Sequence, residues 1–264
     1  MDIAGKRLKG SAGLISPTGR GPDHPAAAGR ASSLSLGLAA LLLALAASTF
    51  TGHAEAADCK SPSGPETDWH DCNKRLLMLG GSDLEGSNLV NTDFTLTDLR
   101  GATLRGANLE KATLMRASLA GAVADKANFT RVEAYRGNFS DISAEGALFV
   151  SSELQRTDFS RARLTGADFE KAELGRANFH EAVLTGTRFS MANLSRANLS
   201  GAVFEGPIDF DRAFLFLTRI EGLDLSAATG LKQEQVDLAC GDAATKLPPG
   251  LSAPAKWPCR HDDD

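Results

Sequence analysis

An apolar residue recurs at every fifth position from Leu84 to Phe204, and 22 of the 25 positions so counted are Leu or Phe. The exceptions are Ala124, Ala134 and Ala144. Two residues before each of these central positions stands Ala, Ser, Thr or Gly, except at Val132 and Ile142. An α-helix repeats its faces every ~3.6 residues and a strand every ~2, so neither keeps a period-five row on one side. A pattern sustained this long predicts a solenoid, whose short units stack and bury a continuous core. Asp or Asn precedes the central residue in about half of the units, as in TDF, ANL and ADF. These turn-tolerant residues bond nearby backbone and let the chain bend at each unit.

A second period lies over the first. Gly stands two residues after the centre at Gly86, Gly106, Gly146, Gly166, Gly186 and Gly206, a spacing of 20 broken only by Lys126. Arg116, Arg136, Arg156, Arg176 and Arg196 show the same spacing. Four units therefore make one turn of the predicted solenoid. With backbones ~4.8 Å apart, about six coils give a rod ~30 Å long before its ends are added. Phe129, Phe149, Phe169 and Phe189 fall on one face and Phe139, Phe159 and Phe179 on the opposite one. The three central Ala lie on the other two faces, and Val132 and Ile142 precede two of them, as close packing requires. A local slip of the repeat near Val123 is the alternative. After Phe204 the phase shifts by one residue, with Phe210, Leu215, Ile220 and Leu225 continuing the step. Pro207 marks the inserted residue, and Leu77 with Leu79 extends the pattern upstream.

The pattern A(D/N)LXX resembles the pentapeptide-repeat family over roughly half the chain. The resemblance implies an all-β, right-handed quadrilateral β-helix with four repeats per coil. The expected organisation is a signal peptide over 1–56, an N-terminal cap over 57–78, the β-helix over 79–226, and a C-terminal cap and tail over 227–264. Residues 231–240 read as a short helix stopped by Gly241. The run ATGLKQEQVDLACGDAATKLPPGL resembles the tail of many bacterial members of the family.

The chain of 264 residues is 42% hydrophobic but only 6% aromatic. Its start is of another kind. Lys6, Arg7, Lys9, Arg20 and Arg30 precede the apolar run LSLGLAALLLALAA, and Ala54, Glu55 and Ala56 follow it in an A-x-A arrangement. This predicts an exported protein, periplasmic or secreted, cut after Ala56. The run is short for a membrane span, so membrane contact is expected only through an uncleaved signal anchor. The long basic segment also admits a translation start further downstream. Four cysteines agree with export. They allow three connectivities, and proximity favours Cys59 with Cys72 and Cys240 with Cys259, each loop worth on the order of 3 kcal/mol. A metal site of Cys59, His70 and Cys72 is the competing reading, with a spacing that fits no standard zinc pattern.

No phosphate loop, nucleophile elbow or HExxH motif is present. His180 is expected to point outward beside Glu181, with no nucleophile or orienting partner, and the terminal His261 to Asp264 reads as a solvated tail. No catalytic residue, metal or cofactor is therefore expected, and an enzyme is not. The five arginines form the sharper signal, a basic stripe flanked one corner away by Lys111, Arg131 and Lys171. Such a row suits carboxylates or phosphates on a partner protein or an anionic envelope polymer. Against this, Glu133, Glu153 and Glu173 stand three residues before three of the arginines and could neutralise them. Acidic Glu85, Asp125, Glu145 and Glu205 recur on another face.

The family resemblance also brings in DNA mimicry, by which some members inhibit gyrase and confer quinolone resistance. A DNA mimic needs a strongly negative surface, whereas residues 80–206 hold 16 acidic and 14 basic side chains. No nucleic-acid partner is expected, and the favoured class is a non-enzymatic binding or scaffold rod.

Overall fold

Residues 57–259 are described in a computed structural model. The apolar run and the cut site at Ala56 lie outside the described residues, as does the His261 to Asp264 tail.

The five-residue period has a backbone cause. A tight turn begins at each central residue, whose carbonyl accepts from the N–H three residues on, as in Val132 N to Phe129 O at 3.2 Å. The third residue of the turn takes positive φ, 58° at Arg131 and 57° at Arg136, the sign pattern of a type II turn. Between turns only a bridging residue and its neighbours stay extended, so the rungs are parallel bridges rather than long strands. Bridged residues are 20 apart through most of the chain, for example Asn108 with Asn128 and Thr113 with Glu133.

In the unit around Phe129 every N–H finds an acceptor. Phe129 N donates to Leu148 O at 2.7 Å and Arg131 N to Val150 O at 2.9 Å, both in the next coil, while Glu133 N reaches back to Ala112 O at 3.1 Å. Val132 N closes the turn. The remaining donor, Thr130 N, has no backbone acceptor in this pattern; the side chain of Asn128 accepts it at 3.0 Å. The same bond recurs at Asp83, Asn138, Asp158, Asp168 and Asn198. Asp or Asn is therefore favoured before the central residue because it satisfies the one N–H that the coils leave over.

The interior is a single column of side chains. The central Leu and Phe from Leu84 to Leu199 and the small residues two before them from Ser87 onward are buried, including Ala124, Ala134 and Ala144 at 0% exposure, while Phe204 is half-buried. Phe129, Phe149, Phe169 and Phe189 stack at 4.8, 4.6 and 5.3 Å, and Phe210 continues the column at 5.7 Å. The column of Phe139, Phe159 and Phe179 meets it edge-on, with Phe129 and Phe139 rings 6.0 Å apart. A Cβ on Gly137 would lie 2.9 Å from the Phe139 ring, so that ring takes the space a side chain would need. Threonines among the small residues are satisfied across coils: Thr97 donates to Lys74 O at 2.6 Å and Thr187 to Leu164 O at 2.9 Å.

The insertion near Pro207 appears as a change of register from 20 to 21, with Arg188 bridging Asp209 and Asn193 bridging Phe214. At the other end the coil begins earlier than the apolar period indicates. Asp68 already bridges Asn88 and Asn73 bridges Asp93, so part of the expected 57–78 cap is the first coil. Trp69 and Lys74 take its inward positions at 1% and 5% exposure. Lys74 Nζ lies 3.4 Å from the Trp69 ring centroid and donates to Cys59 O at 2.8 Å. The Cys59–Cys72 disulfide holds that carbonyl in place over the coil's open end.

Helix α1 is a single turn, Gln233–Val236, shorter than the expected 231–240. Gln235 closes it against the rod, its Nε2 donating to Phe210 O and Ala213 O, both at 2.8 Å. The chain then rejoins the ladder, Cys240 bridging Arg219. Gly241 is not the helix stop; a Cβ there would meet the Trp257 ring at 2.5 Å. Trp257 covers this end, donating Nε1 to Ala239 O at 2.7 Å, and the Cys240–Cys259 disulfide fastens the covering segment.

Ala134→Phe should destabilise by roughly 1–3 kcal/mol through overpacking, because Ala134 is fully enclosed beside Gly137 and the Phe139 ring; an unchanged denaturation midpoint would count against this core layout. Asn128→Ala should cost ~1 kcal/mol, the effect of leaving one turn N–H without its side-chain acceptor, measured by the same denaturation.

Candidate functional site

The positive-φ residues project from the corners of the coil, and residues 20 apart line up in columns. Arg116, Arg136, Arg156, Arg176 and Arg196 occupy one corner on successive coils, with φ between 55° and 61°. The first four are exposed and Arg196 is half-buried. Leu96 precedes them in the column. Beside them at the corner lie Met115 and Tyr135, and the Arg136 guanidinium is 5.2 Å from the Tyr135 ring centroid.

Many charges elsewhere on the rod are paired. Arg161 grips Asp141 with two bonds of 2.8 and 2.7 Å, and Arg100 grips Asp98 at 2.9 and 2.6 Å. Arg188 bridges Asp168 and Glu170, and Arg163 bonds Glu145. The flanking cations are neutralised too: Lys171 pairs with Glu170 at 2.8 Å, while Lys111 and Arg131 lie 3.8 and 3.9 Å from Glu110. They form a mixed-charge column of their own and do not widen the arginine stripe.

The five arginines differ, since none pairs with a carboxylate among the described residues. The neutralising partners expected from sequence spacing, Glu133, Glu153 and Glu173, do not reach them. Those glutamates sit mid-face while the arginines stand past the turn, and Glu173 accepts from Asn193 Nδ2 at 2.8 Å instead. Exposed pairs contribute only ~0–1 kcal/mol, so leaving these arginines unpaired costs the fold little.

The acidic positions Asp125 and Glu145 border a shallow groove of about 500 Å³ with Glu85, Arg105, Gly106 and Lys126. Its charges are largely satisfied internally: Ser143 Oγ and Glu145 N donate to Asp125 Oδ1 at 2.6 and 3.0 Å, and Arg105 lies 3.9 Å from Asp125. His180 is exposed, with Nδ1 2.7 Å from Ser200 O and 3.4 Å from Ser200 Oγ and Nε2 3.6 Å from Glu181, so a hydroxyl does adjoin it, contrary to the sequence expectation; that hydroxyl donates to Asn198 Oδ1 at 2.7 Å. Cys59 and Cys72 are joined to each other, and His70 pairs with Asp68 at 2.8 Å, so the Cys59, His70, Cys72 metal reading fails. Among the described residues no cluster of metal-ligating side chains occurs.

Eight copies of a pentapeptide-repeat model match the sequence, over residues 79–114, 127–166, 145–180 and 162–201. No curated protein matches. Similar solved structures include HetL of the cyanobacterium Nostoc sp. strain PCC 7120, a pentapeptide-repeat protein involved in heterocyst differentiation regulation. It is 24% identical over 72% of this chain and 93% of its own, with a TM-score of 0.47. The plasmid-mediated fluoroquinolone resistance protein QnrB1 is 17% identical over 70% of this chain and 85% of its own, with a TM-score of 0.38. A thylakoid-lumen pentapeptide-repeat protein of Arabidopsis thaliana is 23% identical over 44% of this chain and 68% of its own, with a TM-score of 0.23.

Arg136→Gly with Arg156→Gly should leave stability within ~1 kcal/mol per site, because relief of left-handed strain offsets the added freedom of the unfolded chain. A loss as large as that of a core substitution would show that the column supports the fold. The paired face should behave differently with pH. Hydrogen bonding to Arg100 holds Asp98 down to about 2, from an ordinary value of 3.8. Its contribution is complete above the ordinary value and is lost as pH falls toward 2, so Asp98→Asn should flatten the acid limb of the stability profile in that window.

Proposed function

The chain belongs to the pentapeptide-repeat family, and from that premise we propose that it is a non-enzymatic binding rod which presents its arginine column to acidic groups of a partner protein or an anionic envelope polymer. The frame is a right-handed quadrilateral β-helix with four repeats per coil, a reading supported by the 20-residue bridge register. The observation that carries the function is the contrast between five arginines without ion pairs on successive coils and the other rod arginines, such as Arg161, Arg163 and Arg188, which are held by carboxylates. Guanidinium groups repeating every ~4.8 Å match a repeating array of carboxylates or phosphates.

Export is part of the proposal. The Cys59–Cys72 and Cys240–Cys259 disulfides suit an oxidising compartment, and the N-terminal apolar run and A-x-A site suit a secretory signal. DNA mimicry has less support, since the repeat surface carries nearly as many basic as acidic side chains and its most regular charged column is positive.

The test uses polyglutamate as a linear polycarboxylate. The disulfide-intact protein should be retained on immobilised polyglutamate at low salt and released as salt rises, because exposed charges are screened. Arg136→Glu with Arg156→Glu should lower retention at least tenfold. Equal retention of parent and double variant would overturn the proposal, and failure of the parent to bind would remove the polymer as partner.

A further inference from the structure

The face beside the arginine corner carries a second like-charged column. Glu133 bridges Glu153 and Glu153 bridges Glu173, so three carboxylates stack on consecutive coils. All three are exposed, and none pairs with a cation among the described residues. Like charges directly opposite on neighbouring rungs repel. The fold therefore holds two repulsive columns of opposite sign side by side, without letting either neutralise the other. A simple polyanion satisfies only the arginines and leaves the glutamates without a counter-charge. A partner that satisfies both must carry both signs, in adjacent columns with the same rhythm, and this chain itself has that surface.

We propose that two copies of the chain pair side by side and parallel, about a two-fold axis running along the rods. This inference rests on the arginine-column reading and names its partner. The symmetry fixes the contacts. An axis along the rods keeps each coil level with its counterpart and exchanges the two columns. Arg136 then faces Glu133 of the second copy, Arg156 faces Glu153 and Arg176 faces Glu173, and each pair occurs twice, as an isologous interface requires. An antiparallel pair, with its axis across the rods, sets arginine against arginine and glutamate against glutamate and is disfavoured.

The residues between and beyond the charged columns fit the same arrangement. Met115, Tyr135 and Phe216 lie along the corner between the columns, 38%, 37% and 40% exposed, and would meet their own counterparts near the axis. Past the charged coils, Phe214 continues the glutamate column and Leu217 the arginine column, so Phe214 faces Leu217 of the second copy. Phe214 is 48% exposed and stacks on Phe216 at 6.2 Å. Arg116 and Arg196 face Thr113 and Asn193 of the second copy, so no like charges meet. Complementary charge columns of this kind set register and specificity, and the apolar line between them supplies area to bury.

The test is sedimentation of the disulfide-intact protein at micromolar concentration, alone and as charge-swapped variants. The parent should be dimeric, less so at high salt. Arg136→Glu with Arg156→Glu makes the two central coils of the face wholly acidic and should give monomers; Glu133→Arg with Glu153→Arg makes the same two coils wholly basic and should do the same. Mixed in equal amounts, the two variants should form a one-to-one heterodimer, an outcome that misfolded variants could not produce. Tyr135→Cys should form a disulfide between two copies, since a parallel two-fold brings that position onto its own counterpart. A monomeric parent, a dimer indifferent to the swaps, or monomeric variants that fail to combine would each overturn the pairing. A monomeric parent that still binds polyglutamate would leave the arginine-column function standing, whereas a dimeric parent that polyglutamate neither binds nor dissociates would leave the pairing and remove the polymer.

Discussion

The structure depends on a turn that recurs every fifth residue and leaves one backbone N–H without a backbone acceptor. Four donors of each unit are taken by the adjoining coils and by the turn itself; the fifth must be met by a side chain or by water. Asn128 and its counterparts meet it from the position just before the inward residue. That single bond ties sequence to conformation, because it places a short polar side chain beside the largest apolar one and lets the chain reverse direction without losing a hydrogen bond. It also explains why rungs can be as short as one bridged residue and still stack over many coils.

Once the turn is fixed, side-chain direction follows. The central residue and the one two before it face inward, and the turn residues face out. The interior is narrow, so its residues pack chiefly against their equivalents one coil away, which is why phenylalanines stack in columns and why a change in one unit is felt in its neighbours. Alanine at three central positions is accommodated locally, through Val132, Ile142 and the inclined ring of Phe139, rather than by collapse of the coil. The ends lack a next coil, and there the protein uses other means: a tryptophan, a disulfide and, at the start, a lysine held between an indole ring and a carbonyl. Trp257 and the second disulfide serve the other end.

A rod built this way has little freedom to gather residues from distant parts of the chain into an enclosed site. What it can do is present columns. Regular spacing turns a preference for one residue at one corner into a linear array, and the array is available to a partner only if the neighbouring columns do not consume it. Most charged columns here are consumed, by partners one coil away. The arginine corner and the glutamate face are not, and both proposals for function rest on that difference.

The sequence by itself determined the period, the inward residues, the stacked phenylalanine columns and the shift near Pro207, because each is a matter of apolar residues at fixed intervals. The cysteine pairs seen in the structure are those that sequence proximity favours, since each pair is joined by a short loop. It did not reveal the first coil, where Lys74 occupies an apolar position and only a nearby ring and carbonyl make that tolerable. Nor could it give the length of α1, which ends after one turn because the chain returns to the ladder at Cys240. Charge pairing was legible least of all. Glu133 and Arg136 are three residues apart and would touch on a helix, but a turn separates them here, while Arg163 finds Glu145 and Arg161 finds Asp141 across coils. In a solenoid the nearest neighbour of a surface side chain lies about one coil away along the sequence, and only the tertiary structure decides which way each long side chain leans.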